Sequence, residues 1–113
     1  MDLPEARLLL STFADEESAS SVLRQLLEER LIACGTMIPG ARSLYRWKGK
    51  IEDASEVLVL MKTDQKNASR CMSRIQELHP YEIPELILLD PEAVSDSYAS
   101  WIREALEKSK GEN

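Results

Sequence analysis

The histidine of this chain lies in a segment whose side chains have the chemistry to bind a metal ion. His79 is the single histidine of the 113 residues, and Glu82 follows three positions later in the stretch LHPYEIPEL. One imidazole and one carboxylate do not make a zinc site by themselves. The pair therefore predicts weak binding of a divalent cation, completed by a ligand from another subunit. The alternative is a capping or surface role for His79 at a helix end, where the helix dipole favours the cationic imidazole.

A second group of candidate residues alternates along an extended segment. Tyr45 and Trp47 flank Arg46, and we interpret the two rings as contacts between subunits or as the wall of a ligand cleft. As a cleft wall they would pair with Lys62, whose ammonium group could meet an anion or a neighbouring carboxylate. Tyr81 is predicted to fix the turn after Pro80, with its ring at a subunit boundary.

No residue set for catalysis stands out in the sequence. A single histidine excludes a conventional serine or cysteine triad, although Lys or Glu bases are not excluded. No glycine-rich phosphate loop is present. The sequence therefore predicts a non-enzymatic protein without an organic cofactor.

Composition limits the class of protein further. The net charge of −6 argues against nucleic acid or an anionic membrane as the main partner. No apolar run approaches the roughly 20 residues that span a bilayer, and the acidic N-terminal sequence does not resemble a secretory signal. We predict a cytoplasmic protein with one domain over residues 1–113 and no disulfide between Cys34 and Cys71, of which Cys71 is a core residue.

Hydrophobic periodicity predicts the elements that position these residues. Asp15 and Asp64 are predicted to cap the first two helices, and Pro80 is predicted to end the second. Proline and glycine at 39–40 predict a bend or bulge in a long strand. The predicted order is a strand at 7–13, a helix from 15, a hairpin of 32–47 and 51–63, a helix to 78, a strand at 85–90 and a helix from 95 or 96. This βαββαβα order predicts an α+β ferredoxin-like sandwich with an extra C-terminal helix.

The strands are apolar on both faces, although two helices would cover only one. Along the first strand, Leu8 and Leu10 point to one face of the sheet and Leu9 points to the other, and the later strands repeat this pattern. Four short strands leave an uncovered face of roughly 400 Å², at the limit for a soluble monomer. The long hairpin would also extend beyond its own domain. We therefore predict an obligate oligomer.

The last helix is predicted to turn these side chains inward: Tyr98, Trp101, Ile102, Ala105 and Leu106.

Several motifs together resemble the CutA family, whose members are associated with tolerance to divalent cations such as copper. The matching segments are DEESA, IPG, YRWKGK, HPYE and DSYASWI, spread over residues 6–106. The resemblance implies a homotrimer with inward-facing sheets, similar to PII signalling proteins, and a ligand site in the clefts between subunits. It also leaves an alternative function, a PII-like regulator or scaffold that binds a small anionic ligand or a partner protein.

The resemblance also bears on the metal ligands. A metal site suggested for some family members uses a first-strand cysteine and a pair of histidines, and here Ser11 and Leu78-His79 stand at those positions. The resemblance therefore implies that Ser11 lies at a ligand cleft or at the trimer interface. Cys34 matches a cysteine common in the family's second strand, although a small buried side chain is the simpler interpretation. Soft metals prefer thiolate and imidazole together, so the absence of the first-strand cysteine and of one histidine predicts only weak binding of Cu or Zn. The candidate metal ligands that remain are His79, Glu82 and Cys34.

Overall fold

A computed structural model describes residues 5–107 of the chain. They form a four-stranded antiparallel sheet in the order β2-β3-β1-β4, together with three helices. The predicted ferredoxin-like α+β fold and its element order are confirmed; the prediction of a single domain over residues 1–113 stays a prediction. The elements are β1 Ala6–Phe13, α1 Glu16–Glu28, β2 Cys34–Trp47, β3 Lys50–Asp64, α2 Gln65–Leu78, β4 Ile87–Leu89 and α3 Asp96–Leu106.

Both predicted aspartate caps are present at the helix starts. The Asp15 carboxylate accepts a hydrogen bond from the Ser18 amide at 2.7 Å, and the Asp64 carboxylate accepts one from the Asn67 amide at 2.8 Å. Each cap satisfies an amide that has no partner inside its helix. Helix α2 ends at Leu78 because Pro80 disfavours the helical conformation in the residue before it.

The main core lies between the sheet and helices α1 and α2. Alternate side chains of β1 and β3 point into it, among them Leu9, Phe13, Val59 and Met61. Cys71 of α2 is fully buried in the same core, as predicted, and burial raises the pKa of its thiol to about 12. This thiol therefore stays protonated and serves as a small apolar side chain.

The opposite face of the sheet is apolar as well, and we call it the open face. Strand register places Leu10 beside Leu60 and Ile87 on this face. Ala6 shares the alternation of Leu8 and Leu10, and α3 packs against it through Ile102 and Leu106. Helix α3 therefore covers only one end of the open face. The remaining apolar residues of the open face are half-buried or exposed in the isolated chain: Leu8, Leu10, Ile38, Leu58, Leu60, Ile87 and Leu89.

Strands β2 and β3 form a long hairpin that extends the molecule to 49 Å in its longest dimension. The strand register shifts between Ile38 and Ala41, which confirms the predicted bulge. Lys48 and Gly49 form the two-residue turn, both with positive φ as a type I′ turn requires. Leu44 is 65% exposed and Ile51 70% exposed near the tip, so the hairpin presents apolar side chains to its surroundings.

Two regions differ from the sequence-based expectation. Tyr98 of α3 is 39% exposed and Trp101 is 44% exposed, and their rings stack on each other with centroids 5.5 Å apart rather than turning inward. Helix α3 lies at the end of the sheet, so few of its side chains are buried, namely Ile102 and Leu106. Strand β4 is shorter than predicted because β1 pairs with only three of its residues. Within residues 5–107, no helix has the length and apolar character needed to cross a membrane.

Candidate functional site

His79 anchors the segment after α2 to the end of β1. Its Nε2 lies 2.8 Å from the carbonyl oxygen of Thr12, and its Nδ1 lies 3.1 Å from the amide nitrogen of Tyr81. A carbonyl only accepts and an amide only donates, so Nε2 carries the proton and Nδ1 accepts. The ring also stacks on Phe13 with centroids 4.1 Å apart. Both nitrogens of His79 are therefore engaged within the chain.

The environment of His79 favours its neutral form. The residue is 7% exposed, and this burial lowers the pKa of its imidazole. The hydrogen bond to Thr12 and the Glu56 carboxylate oppose the effect but do not reverse it. The environment of His79 therefore does not favour the cationic imidazole expected at a helix end, because burial disfavours the charged ring more than Thr12 and Glu56 favour it. A metal ion would reach a His79 nitrogen only by displacing one of its two hydrogen bonds.

Tyr81 connects this segment to the hairpin. Its hydroxyl donates a hydrogen bond of 2.7 Å to Oε2 of Glu56, which is 8% exposed. Burial, and next the neighbouring Glu56 carboxylate, raise the pKa of the Tyr81 phenol above its usual range. Tyr81 therefore stays protonated and remains a donor to Glu56.

A cavity of about 380 Å³ opens beside this hydrogen bond, and we call it the aromatic–acidic cavity. Alternation along β2 turns Ser43, Tyr45 and Trp47 toward one side. Thr12 of β1 and Glu56 of β3 have the same alternation as the neighbouring open-face residues, so the cavity adjoins that face. The cavity is lined by Thr12, Ser43, Tyr45, Trp47, Glu56, Tyr81, Glu82, Ile83 and Glu85.

Four of the residues singled out in the sequence meet in this cavity: Tyr45, Trp47, Tyr81 and Glu82. Glu56 was missed, although a carboxylate immediately before the apolar run VLVL was a usable signal. A glutamate next to a strand segment that is apolar on both faces needs a partner when it is buried. Glu85 carried no signal of its own, because the cavity arises only when four separate segments of the chain meet.

Cys34 and Lys62 lie elsewhere, side by side on the open face. The Lys62 ammonium donates to Thr36 Oγ1 at 2.6 Å and lies 3.8 Å from the Cys34 sulfur. Cys34 pairs with Lys62 in the strand register, which accounts for this contact. Neither residue lines the aromatic–acidic cavity.

The structure does not bring the predicted metal ligands of one subunit together. Cys34 lies on the open face, His79 is buried with both nitrogens engaged, and Glu82 lines the cavity. Across residues 5–107, no group of three His, Cys, Asp or Glu side chains is arranged to hold a metal ion. The donors that residues 5–107 of a single subunit supply therefore do not fit a metal centre.

Ser11 also departs from its predicted place in a ligand cleft or subunit interface. It is fully buried, and its hydroxyl has no hydrogen-bond partner among the described residues. The alternation of β1 turns Ser11 toward the helices together with Leu9 and Phe13, which explains the burial.

Comparison with known proteins matches almost the whole chain to one family. The model of the CutA1 divalent ion tolerance protein family matches residues 7–105. The divalent-cation tolerance protein CutA of Pectobacterium atrosepticum is 39% identical over 92% of this chain and 94% of its own length.

Solved structures that resemble this chain belong to the same family. The crystal structure of CutA from Xylella fastidiosa is 39% identical with a TM-score of 0.88, and covers 91% of this chain and 99% of that one. The CutA1 structure from Ehrlichia chaffeensis is 28% identical with a TM-score of 0.89, and covers 95% of this chain and all of the other.

Proposed function

This chain belongs to the CutA1 family of divalent ion tolerance proteins, and we propose that it binds divalent cations weakly as a homotrimer with ligand sites in the clefts between subunits. The observation that carries the proposal is that Glu56, Glu82 and Glu85 line one cavity beside the open face, where a neighbouring subunit would add the ligands that residues 5–107 of one subunit do not bring together. Carboxylate oxygens are common ligands of divalent cations. The role is one of binding rather than catalysis.

The apolar character of the open face supports assembly with further copies of the chain, and the number of three subunits comes from the resemblance to the family. Covering roughly 400 Å² of it removes apolar surface worth up to about 10 kcal/mol from water, an upper estimate. A second copy of the same chain offers an equally apolar surface. The exposed tip of the hairpin, with Leu44 and Ile51, would then contact a neighbouring subunit.

A cation site in this assembly would need donors from two subunits, because the described part of one subunit does not hold a complete set. Glu82 is exposed and so is free to act as a donor at the mouth of the cavity. Cys34 offers a sulfur ligand on the open face, which suits Cu(I) better than hard cations. A cytoplasmic location stays a prediction, and cell fractionation would check it.

Calorimetric titration of the purified protein with Zn(II), Cu(II) and Cu(I) tests this function. We expect Glu82→Gln to weaken Zn(II) binding by about tenfold or more, and Cys34→Ser to act mainly on Cu(I). Glu28→Gln, on the exposed side of α1, is the matched control and should change nothing. Heats no larger than those of unspecific binding for all three ions would reject the proposal.

A second candidate is a PII-like regulator or scaffold that binds a small anion or a partner protein. It is favoured by Lys62, whose ammonium lies on the open face without an ion pair among residues 5–107. A buried or half-buried ammonium attracts an anionic partner. Titration with inorganic phosphate distinguishes this function. If the protein is such a regulator, the unchanged protein should bind phosphate and Lys62→Met should lose that binding.

A further inference from the structure

We propose that the aromatic–acidic cavity binds a small organic ammonium ion, a ligand class distinct from the metal ions considered above. The cavity combines a nearly buried carboxylate, aromatic walls and a volume suited to a small molecule. Its volume of about 380 Å³ lies within the range of roughly 300–1,000 Å³ that is typical of small-molecule sites.

The charge of the cavity points to a cation. Three of its lining side chains are carboxylates, and none of the lining residues is Lys or Arg. Glu56 is 8% exposed, and its Oε2 accepts from the Tyr81 hydroxyl, which is neutral. A carboxylate this far from water is costly without a positive partner, and the described residues supply no ion pair to it. A ligand cation would supply that partner.

The walls of the cavity favour an organic cation. Tyr45, Trp47 and Tyr81 contribute three aromatic rings, and Ile83 adds an apolar side chain. The face of an aromatic ring attracts a cation within about 6 Å of its centroid, and the ring also contacts alkyl groups favourably. Trp47 already has the Lys48 ammonium 5.8 Å from its centroid, although Lys48 does not line the cavity.

A bare divalent ion fits the same cavity poorly within one subunit. Hard divalent cations take about six or more oxygen ligands, whereas one Glu56 oxygen is already bonded to Tyr81. No group of three acidic, histidine or cysteine side chains converges among residues 5–107. An alkylated ammonium ion needs no such shell, because its charge is diffuse and its surface is apolar.

Choline is a suitable probe, with 3,3-dimethylbutan-1-ol as its uncharged isostere. The measurement uses the Trp101→Phe variant of the full chain in its natural assembly. Trp47 is then the remaining tryptophan, so its fluorescence reports on the cavity. We expect choline to change the Trp47 emission with saturation, and the isostere to bind at least about tenfold more weakly. Calorimetry measures both affinities independently of the fluorophore.

Two variants locate the site. Glu56→Gln keeps the size of the side chain and removes its charge, and should weaken choline binding by at least about tenfold. Trp47→Leu, read by calorimetry, tests the aromatic wall at a half-buried position that leaves the core intact, so it serves if Glu56→Gln does not fold. Glu28→Gln is the matched control and should bind choline normally.

The proposal is overturned if choline gives no saturable signal, if the isostere binds equally well, or if a folded Glu56→Gln binds choline normally. A protein that binds Zn(II) but not choline would retain the proposed function and lose only this inference. The reverse result would support this inference and reject the metal function.

Discussion

His79 shows how tertiary contacts change the chemistry of a single residue. In the sequence it is a candidate metal ligand, whereas in the structure its ring joins the Thr12 carbonyl to the Tyr81 amide. The same contacts position Tyr81 beside Glu56. His79 therefore acts on the aromatic–acidic cavity through Tyr81, as a positioning residue.

The stability of the protein should fall as the pH is lowered through the range in which His79 gains a proton. Burial sets the pKa of His79 below its ordinary value of 6.5. Because the pKa of His79 is lower in the folded state than in the unfolded state, its contribution to stability is fully present above the unfolded-state pKa. That contribution is lost as the pH falls through the folded-state pKa. Denaturant unfolding between pH 8 and pH 5 measures the effect, and NMR of the ring gives the pKa directly.

The control for this prediction is His79→Gln, whose amide can donate to Thr12 and accept from Tyr81 without titrating. It should show a smaller dependence on pH over the same range. His79 is the chain's single histidine, so no other imidazole contributes. A ring pKa at or above 6.5 in the folded protein would contradict the prediction.

The contact between α1 and β2 is close enough to require a glycine. A Cβ at Gly35 would lie 2.6 Å from a terminal carbon of Leu23 and 3.1 Å from its branching carbon. Leu23 is buried in the core, so it has little room to move. The packing of helix on sheet thus fixes a small residue at position 35.

Gly35→Ala should therefore lower the free energy of unfolding by about 1–3 kcal/mol, the usual cost of overpacking. Denaturant unfolding at fixed protein concentration measures it. The double variant Gly35→Ala with Leu23→Ala should be less destabilised than the sum of its single changes, because the clash is removed. Strict additivity would show that Gly35 matters for a reason other than this contact.

At the scale of the whole molecule, the open face and the hairpin are the features that residues 5–107 of a single chain leave without cover. Leu60 lies near the middle of the open face, between Leu10 and Thr36 in the strand register. A charge at this position is tolerated in a monomer but not in an apolar interface between subunits.

Leu60→Glu should therefore shift the protein from an oligomer to single chains in sedimentation velocity at micromolar concentration. Circular dichroism checks that the variant remains folded, and Glu28→Gln should sediment like the unchanged protein. If the unchanged protein itself sediments as a folded single chain, the homotrimer is rejected.

The sequence by itself determined the order of the elements, their caps and the two-faced sheet. These features follow from spacings of two to four residues, as in the caps at Asp15 and Asp64 and the alternation of Leu8, Leu9 and Leu10. The bulge before Ala41 was also predictable, because proline and glycine impose it locally.

Only the tertiary structure decided which side chains form the candidate site. Glu56 and Tyr81 are 25 positions apart and meet through strand pairing and the anchor at His79. Burial by neighbours from separate elements favours the neutral form of His79 and hides Ser11. The strand register and the path of the chain after α2 place Cys34 and Glu82 apart. Local spacing carries no information on such contacts, because they depend on strand register and on how helices and loops close over the sheet.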